Sequence, residues 1–239
     1  MALAGKVALI TGGRKGIGRA IGDALEALGA KVVITSREGV TRPRYCAPLD
    51  LDDHNSADML QQLRVIIAHV GPIDILVNNA AYGPLRPVEE IDPIEWDEVM
   101  GVNVRAPFLL SQAVLPGMCE RGWGRIINIA SVAGQWGGTQ RIHYAVSKGA
   151  LITLTKCLAK LGAPHGVTVN AVAPGLVDTP LVAEELTSLK GRQRVEAIPA
   201  GRIGTPEEIA AVVAFLASPG ASFITGATIN VNGGEYMSA

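Results

Sequence analysis

Short β-branched apolar runs alternate with longer helical stretches along the whole chain, and no other feature narrows the fold so far. The runs lie at 6–11, 31–35, 44–49, 73–78, 125–130, 167–173 and 228–231. Most are continuously apolar rather than alternating, as strands of a parallel sheet must be when helices cover both faces. Helices are expected between them at 16–28, 56–69, 93–120, 142–161 and 206–217. Asp92-Pro93 and Thr205-Pro206 each place a capping residue before a proline at the first helical position, and Thr205-Pro206-Glu207-Glu208 fits a capping box. The pattern predicts one α/β domain over 1–239, a doubly wound parallel seven-stranded sheet with helices on both faces. One connection is short. Only about seven residues, 37–43, separate the second and third strands, where a parallel crossover normally needs a dozen or more, so a loop without a helix is expected there.

Several function classes drop out early. With 21 Lys+Arg against 22 Asp+Glu the net charge is −1, which argues against a nucleic-acid partner. The longest purely apolar run, 209–217, is about half of the roughly 20 residues a bilayer span needs, so no membrane association is expected. The opening MALAGKVALITGG reaches Gly-Gly before a signal-peptide core develops, and the three cysteines, Cys46, Cys119 and Cys157, are widely spaced. The expectation is a cytoplasmic protein with neither a disulfide framework nor a metal site.

The first stretch that carries chemistry is Thr11-Gly12-Gly13-Arg14-Lys15-Gly16-Ile17-Gly18, which follows a strand and opens a helix. Backbone N–H groups there, with the helix N-terminus, can receive a pyrophosphate, and glycine permits the close approach. The blander reading is a glycine turn and nothing more. At the end of the second strand, a dinucleotide enzyme preferring NAD would place an acid for the ribose hydroxyls. Here the chain reads Ile34-Thr35-Ser36-Arg37, with Arg14 and Lys15 in the glycine-rich turn, a set that suits a 2′-phosphate if these are more than surface cations. The cofactor expected is NADP(H). Asp50-Leu51 follows the third strand and Asn78-Asn79-Ala80-Ala81 the fourth, both at sheet carboxyl ends where ligands bind in open α/β folds. Asp50 could accept from an adenine amino group or simply cap the helix that begins near residue 55.

Ser131 stands just past the fifth strand, Tyr144 thirteen residues on, and Lys148 four after that. Tyr144 and Lys148 share one helical face, so an ammonium can lie near the phenol and make it a usable general acid/base. Ser131 can hydrogen-bond a substrate oxygen. His143 and the loop aromatics Tyr82 and Trp136 are possible pocket walls, and 179–200 reads as a substrate lid with Gly191 and Pro199 as hinge points.

TGGRKGIG, NNAA, Asn103, Ser131, Tyr144-x3-Lys148 and Pro174-Gly175, in that order and spacing, resemble the short-chain dehydrogenase/reductase family over essentially the whole chain. The resemblance implies a Rossmann-type sheet and a small-molecule carbonyl or alcohol substrate. By it, Tyr144 would be the proton donor to a carbonyl, Ser131 would polarise that carbonyl, and Lys148 would bind the nicotinamide ribose. Asn103, inside a long helix, would anchor a water linking the lysine to solvent. Pro174, Gly175, Val177 and Thr179 would hold the nicotinamide end, and the assembly would be a homotetramer. The second half looks most like the 3-oxoacyl-[acyl-carrier-protein] reductase branch. An alcohol or polyol dehydrogenase is the runner-up, and a protein that senses NADP(H) without turnover the remote alternative. The chain departs from the family at Ala81, where glycine is usual, and in the short 37–43 connection.

Overall fold

Every strand residue of Val7–Thr11 is buried, yet its side chains serve two different cores. Ala8 and Ile10 join one, Val7 and Leu9 the other, because successive side chains of a strand point to opposite faces. That division is why the runs read as continuously apolar. The computed structural model describes residues 1–36, 45–51, 56–180 and 182–237. Its strands are β1 (Val7–Thr11), β2 (Lys31–Ser36), β3 (Tyr45–Pro48), β4 (Ile75–Asn78), β5 (Gly124–Ile129), β6 (Val167–Pro174) and β7 (Thr228–Val231). They form one parallel sheet in the order β3-β2-β1-β4-β5-β6-β7, the doubly wound arrangement expected. The order reverses between β1 and β4, which opens a crevice at their carboxyl ends.

On one face lie α1 (Gly16–Ala27) and α9 (Pro206–Ala217), through Ile21, Leu25, Ile209, Val213 and Leu216. The other face is covered by α2 (Ser56–Val70), α4 (Ala106–Glu120) and α6 (Ile142–Gly162), through Leu63, Leu110, Met118 and Leu158. Both anticipated caps are present. Asp92 accepts from the Glu95 N–H at 2.8 Å, and Thr205 with Glu208 closes a full capping box. Arg202 then bonds Glu208 and holds its carboxyl down to about 2.

The expected helix over 93–120 is a correction. It divides into α3 (Pro93–Met100), a π-helical turn (Gly101–Arg105) and α4. Pro107 is the physical reason in the sequence: it has no N–H to give the carbonyl of Asn103, four residues back. Three further α-helices, α5 (Ala133–Trp136), α7 (Ala183–Thr187) and α8 (Leu189–Glu196), lie in stretches read as loop or lid. Gly191, expected as a hinge point, is buried inside α8 with its N–H bonded to the Ser188 side chain.

Candidate active site

The crevice at the sheet's carboxyl edge is a cleft of about 1330 Å³. Its floor is fixed by one residue from each side of the switch point. Thr11 Oγ1 accepts from the N–H groups of Asn79 and Ala80, both at 3.0 Å, and Asn79 Nδ2 donates to Thr11 O at 2.8 Å. The ends of β1 and β4 are thereby held together beneath the opening.

From Thr11 the chain turns through Gly12, whose φ of 65° a side chain would strain, and Gly16 (φ 53°) into α1. Lys15 is the N-cap, its side chain makes no capping hydrogen bond, and no acid sits in the first turn. Those donors and the positive end of the helix dipole face the cleft, which is lined by Gly12, Arg14, Lys15, Gly16, Ile17 and Gly18. Arg14 and Lys15 are exposed. Ser36, Asp50 and Leu51 line the same end, and Ser36 Oγ lies 3.7 Å from Cys46 Sγ. Arg37 and the rest of the short connection, including Arg42, lie outside the described residues.

At the other end, Tyr144 and Lys148 line the cleft from α6, as the i, i+4 spacing required. Lys148 Nζ is 5.5 Å from the centre of the Tyr144 ring and donates to Ile129 O at 2.7 Å. Only 2% of Lys148 is exposed, and this burial, which penalises the charged form, lowers its pKa to about 7. Ser131 reaches the same place because the turn behind it packs onto α6. A Cβ on Gly134 would come within 2.6 Å of the Lys148 carbonyl carbon, so only glycine lets α5 approach so closely. Ser131 Oγ accepts from Ala133 N–H at 3.1 Å, which directs its own hydroxyl hydrogen to other acceptors. Asn79, Ala80, Pro174, Gly175, Val177 and Thr179 complete the lining between the two ends, and Tyr82 and Trp136 form part of its wall.

Two residues stand outside the cleft wall. Asn103 does not line the cleft. It lies fully buried in the π-helical turn, where Oδ1 accepts from Tyr82 N–H (2.9 Å) and Nδ2 donates to Tyr82 O (2.7 Å) and Ser147 Oγ (2.9 Å). His143 is no pocket wall either, since it is fully buried and bonded to Glu95 and to the main chain of Tyr144. Sequence reasoning missed Ser147, Gly134 and the Arg194–Glu235 ion pair (2.5 Å) that ties α8 to the segment after β7. Pro107 inside an expected helix was the readable signal for the π-helical turn from which Asn103 reaches Ser147. Nothing local announces the other two. Among the described residues no cluster of His, Cys, Asp or Glu could hold a metal, and no helix is long and apolar enough to cross a membrane.

Residues 12–235 match the family described as enoyl-(acyl carrier protein) reductase. The chain is 42% identical to the 3-oxoacyl-[acyl-carrier-protein] reductase FabG of Vibrio cholerae, covering 99% of this chain and all of that one. It is 40% identical to an acetoacetyl-CoA reductase of Rhizobium meliloti, over 97% of this chain and 99% of the relative. Two solved structures each cover 98% of both chains. One is a short chain dehydrogenase/reductase family protein (36% identity, TM-score 0.87). The other, from Beutenbergia cavernae, is provisionally described as an NAD(P)-dependent gluconate 5-dehydrogenase with NADP bound at low occupancy (35%, TM-score 0.90).

Proposed function

The chain belongs to the short-chain dehydrogenase/reductase family and is an NADP-dependent oxidoreductase, and from that premise we propose that it reduces a 3-oxoacyl thioester or ester, or a ketone, with Tyr144 as proton donor. One observation carries the reading. A single cleft joins the uncapped N-terminus of α1, beside exposed cations, to the Ser131, Tyr144 and Lys148 side chains. The residues fit a dinucleotide phosphate: the α1 donors are directed at anions, Gly12 and Gly16 carry no side chain to block a close approach, and no acid stands in the first turn of α1.

When bound, NADPH supplies the hydride, from its nicotinamide C4. Lys15 with Arg14, Ser36 and Arg37 recognises the 2′-phosphate, and Asp50 and Leu51 border the adenine end. Asn79, Ala80, Pro174, Gly175, Val177 and Thr179 border the nicotinamide half. Ser131 donates its hydroxyl hydrogen to the substrate carbonyl oxygen, and Tyr144 delivers the proton to the same oxygen as its carbon is reduced. Lys148 orients the ribose and, as ammonium, favours the phenolate that Tyr144 becomes. The Asn103 side chain is already fully engaged, so its assigned water contact falls to its main-chain carbonyl, which Pro107 leaves without the usual helical donor.

The α7–α8 segment serves as the lid over the substrate end, within a single domain over 1–239. Assembly is a homotetramer in the cytoplasm, supported by the exposed Phe108 of α4, Val146 of α6 and Phe215 of α9 and by the free cysteines Cys46, Cys119 and Cys157. Light scattering that gives a concentration-independent monomer near 24.9 kDa would reject the tetramer. The function is tested by NADPH absorbance decay with a panel of 3-oxo esters and ketones, repeated with NADH. Turnover only in the oxidative direction, on secondary alcohols or polyols, would move the assignment to a dehydrogenase. Cofactor binding without turnover in either direction would leave a sensing protein.

A further inference from the structure

Tyr144 is the third residue of α6, so its N–H is one that a helix leaves without an internal acceptor. Arg141, the residue before the helix, supplies no side-chain cap. The acceptor is instead His143 Nδ1, 2.9 Å from Tyr144 N. An Nδ1 that accepts this bond places the ring hydrogen on Nε2, which faces Glu95 Oε1 at 3.3 Å. Glu95 stands in the first turn of α3, and its other oxygen accepts from Arg86 Nε at 3.1 Å. Arg86 N–H in turn donates to Gln140 O at 2.9 Å, in the loop that leads into α6. The chain of bonds therefore closes around the start of the tyrosine's own helix.

The opposite main-chain group is held as well. Ser147 Oγ donates to Tyr144 O at 2.7 Å, and Asn103 Nδ2 donates to that serine oxygen at 2.9 Å. In front, the backbone of buried Gly83 lies so close that a Cβ there would run into the Tyr144 ring. His143 itself is fully buried and is not part of the cleft wall. A buried imidazole with both nitrogens engaged, one on the tyrosine's N–H and one on a neighbouring helix, fixes where the phenol stands.

We propose that His143, anchored by Glu95, is a positioning residue for Tyr144, setting the start of α6 so that the phenol meets the substrate oxygen. The inference rests on Tyr144 as proton donor. Reaction needs the donor within hydrogen-bond reach of one oxygen, so a small drift of the first helical turn acts on turnover more than on cofactor binding.

The test compares His143→Phe, His143→Asn, Glu95→Ala and Tyr144→Phe in the full-length enzyme, each checked by far-UV circular dichroism. Phenylalanine fills the ring's space without an acceptor. Asparagine puts Oδ1 where Nδ1 stands but falls short of Glu95. His143→Phe should lower kcat about tenfold with KM and NADPH Kd within about twofold, and His143→Asn should recover most of the loss. Glu95→Ala, which changes no residue of α6, should lower kcat about threefold at unchanged Kd. Unchanged kcat in His143→Phe, or an equal loss in His143→Asn, would overturn the proposal. Should His143→Phe fail to fold, unchanged kcat in Glu95→Ala would overturn it. Tyr144→Phe separates the two levels: normal turnover in that variant removes the proton-donor reading itself, whereas an inactive Tyr144→Phe beside normal His143 variants removes this inference alone.

Discussion

The two ends of the cleft are built on opposite electrostatic terms. At the α6 end, Lys148, Ser147, Asn103 and His143 are all buried, and each is bonded to the main chain or to another buried side chain. At the β1–β2 end, Arg14 and Lys15 stand exposed beside a turn of glycines. Coulomb interactions are strong in the first setting and screened in the second. The buried end can therefore hold a reacting group to a fraction of an ångström. The exposed end can only favour one charge over another by modest factors that depend on salt.

The largest effect should come from breaking the buried end. Tyr144→Phe removes the proposed proton donor and should lower kcat by at least ~10², with NADPH affinity little changed, measured by steady-state kinetics and fluorescence titration. Next is Lys148, whose pKa falls from 10.5 to about 7 because burial penalises its charge. Between those values the unfolded chain binds the proton and the folded chain does not, so stability rises with pH above about 7. The unliganded protein should gain about 1.4 kcal/mol per pH unit there, a Tm rise of roughly 2–4 °C per kcal/mol, in melts from pH 7 to 9. Lys148→Met should flatten that slope and weaken both kcat and cofactor affinity. A slope unchanged in the variant would show that another group titrates.

The exposed end should give smaller numbers. NADPH should be preferred over NADH by at least ~10-fold in kcat/KM, and Ser36→Asp with Arg37→Ala should reverse the preference by repelling phosphate and accepting from ribose hydroxyls. Equal values in the wild type would reduce Lys15 and Arg37 to surface charges. Smallest, raising salt from 0.05 to 0.5 M should erode the NADPH preference by about twofold to threefold while leaving kcat near its low-salt value. A preference insensitive to salt would mean that the 2′-phosphate site is drier than the exposed Lys15 suggests.

Legibility followed the same division between local and assembled features. All seven strands fall within two residues of their expected ends, because a parallel strand covered on both faces must be apolar throughout. The caps at Asp92 and Thr205 were equally plain, since capping is a contact over three residues. Tyr144 and Lys148 were legible as a pair because helical spacing alone puts them on one face. The break at Gly101–Arg105 has one signal in the sequence, Pro107, set in a pattern that otherwise fits a single long helix. The helices α7 and α8 carry little apolar periodicity, and α5 spans a single turn, so none announced itself.

By itself, then, the chain determined its layers, its parallel strands, the donors at the start of α1 and the Tyr144–Lys148 face, all of which depend on neighbours within about five residues. Tertiary structure alone decided that Gly134 would pack against the Lys148 main chain, which puts Ser131 and Lys148 in one cleft, and that His143 would turn inward to Glu95 rather than toward the cleft. It also decided that Asn103 would bind Tyr82 and Ser147 from a π-helical turn. Each of these joins residues 14 to 48 positions apart, and burial, not spacing, makes such contacts specific: a polar group removed from water must find its partner wherever the fold has brought one.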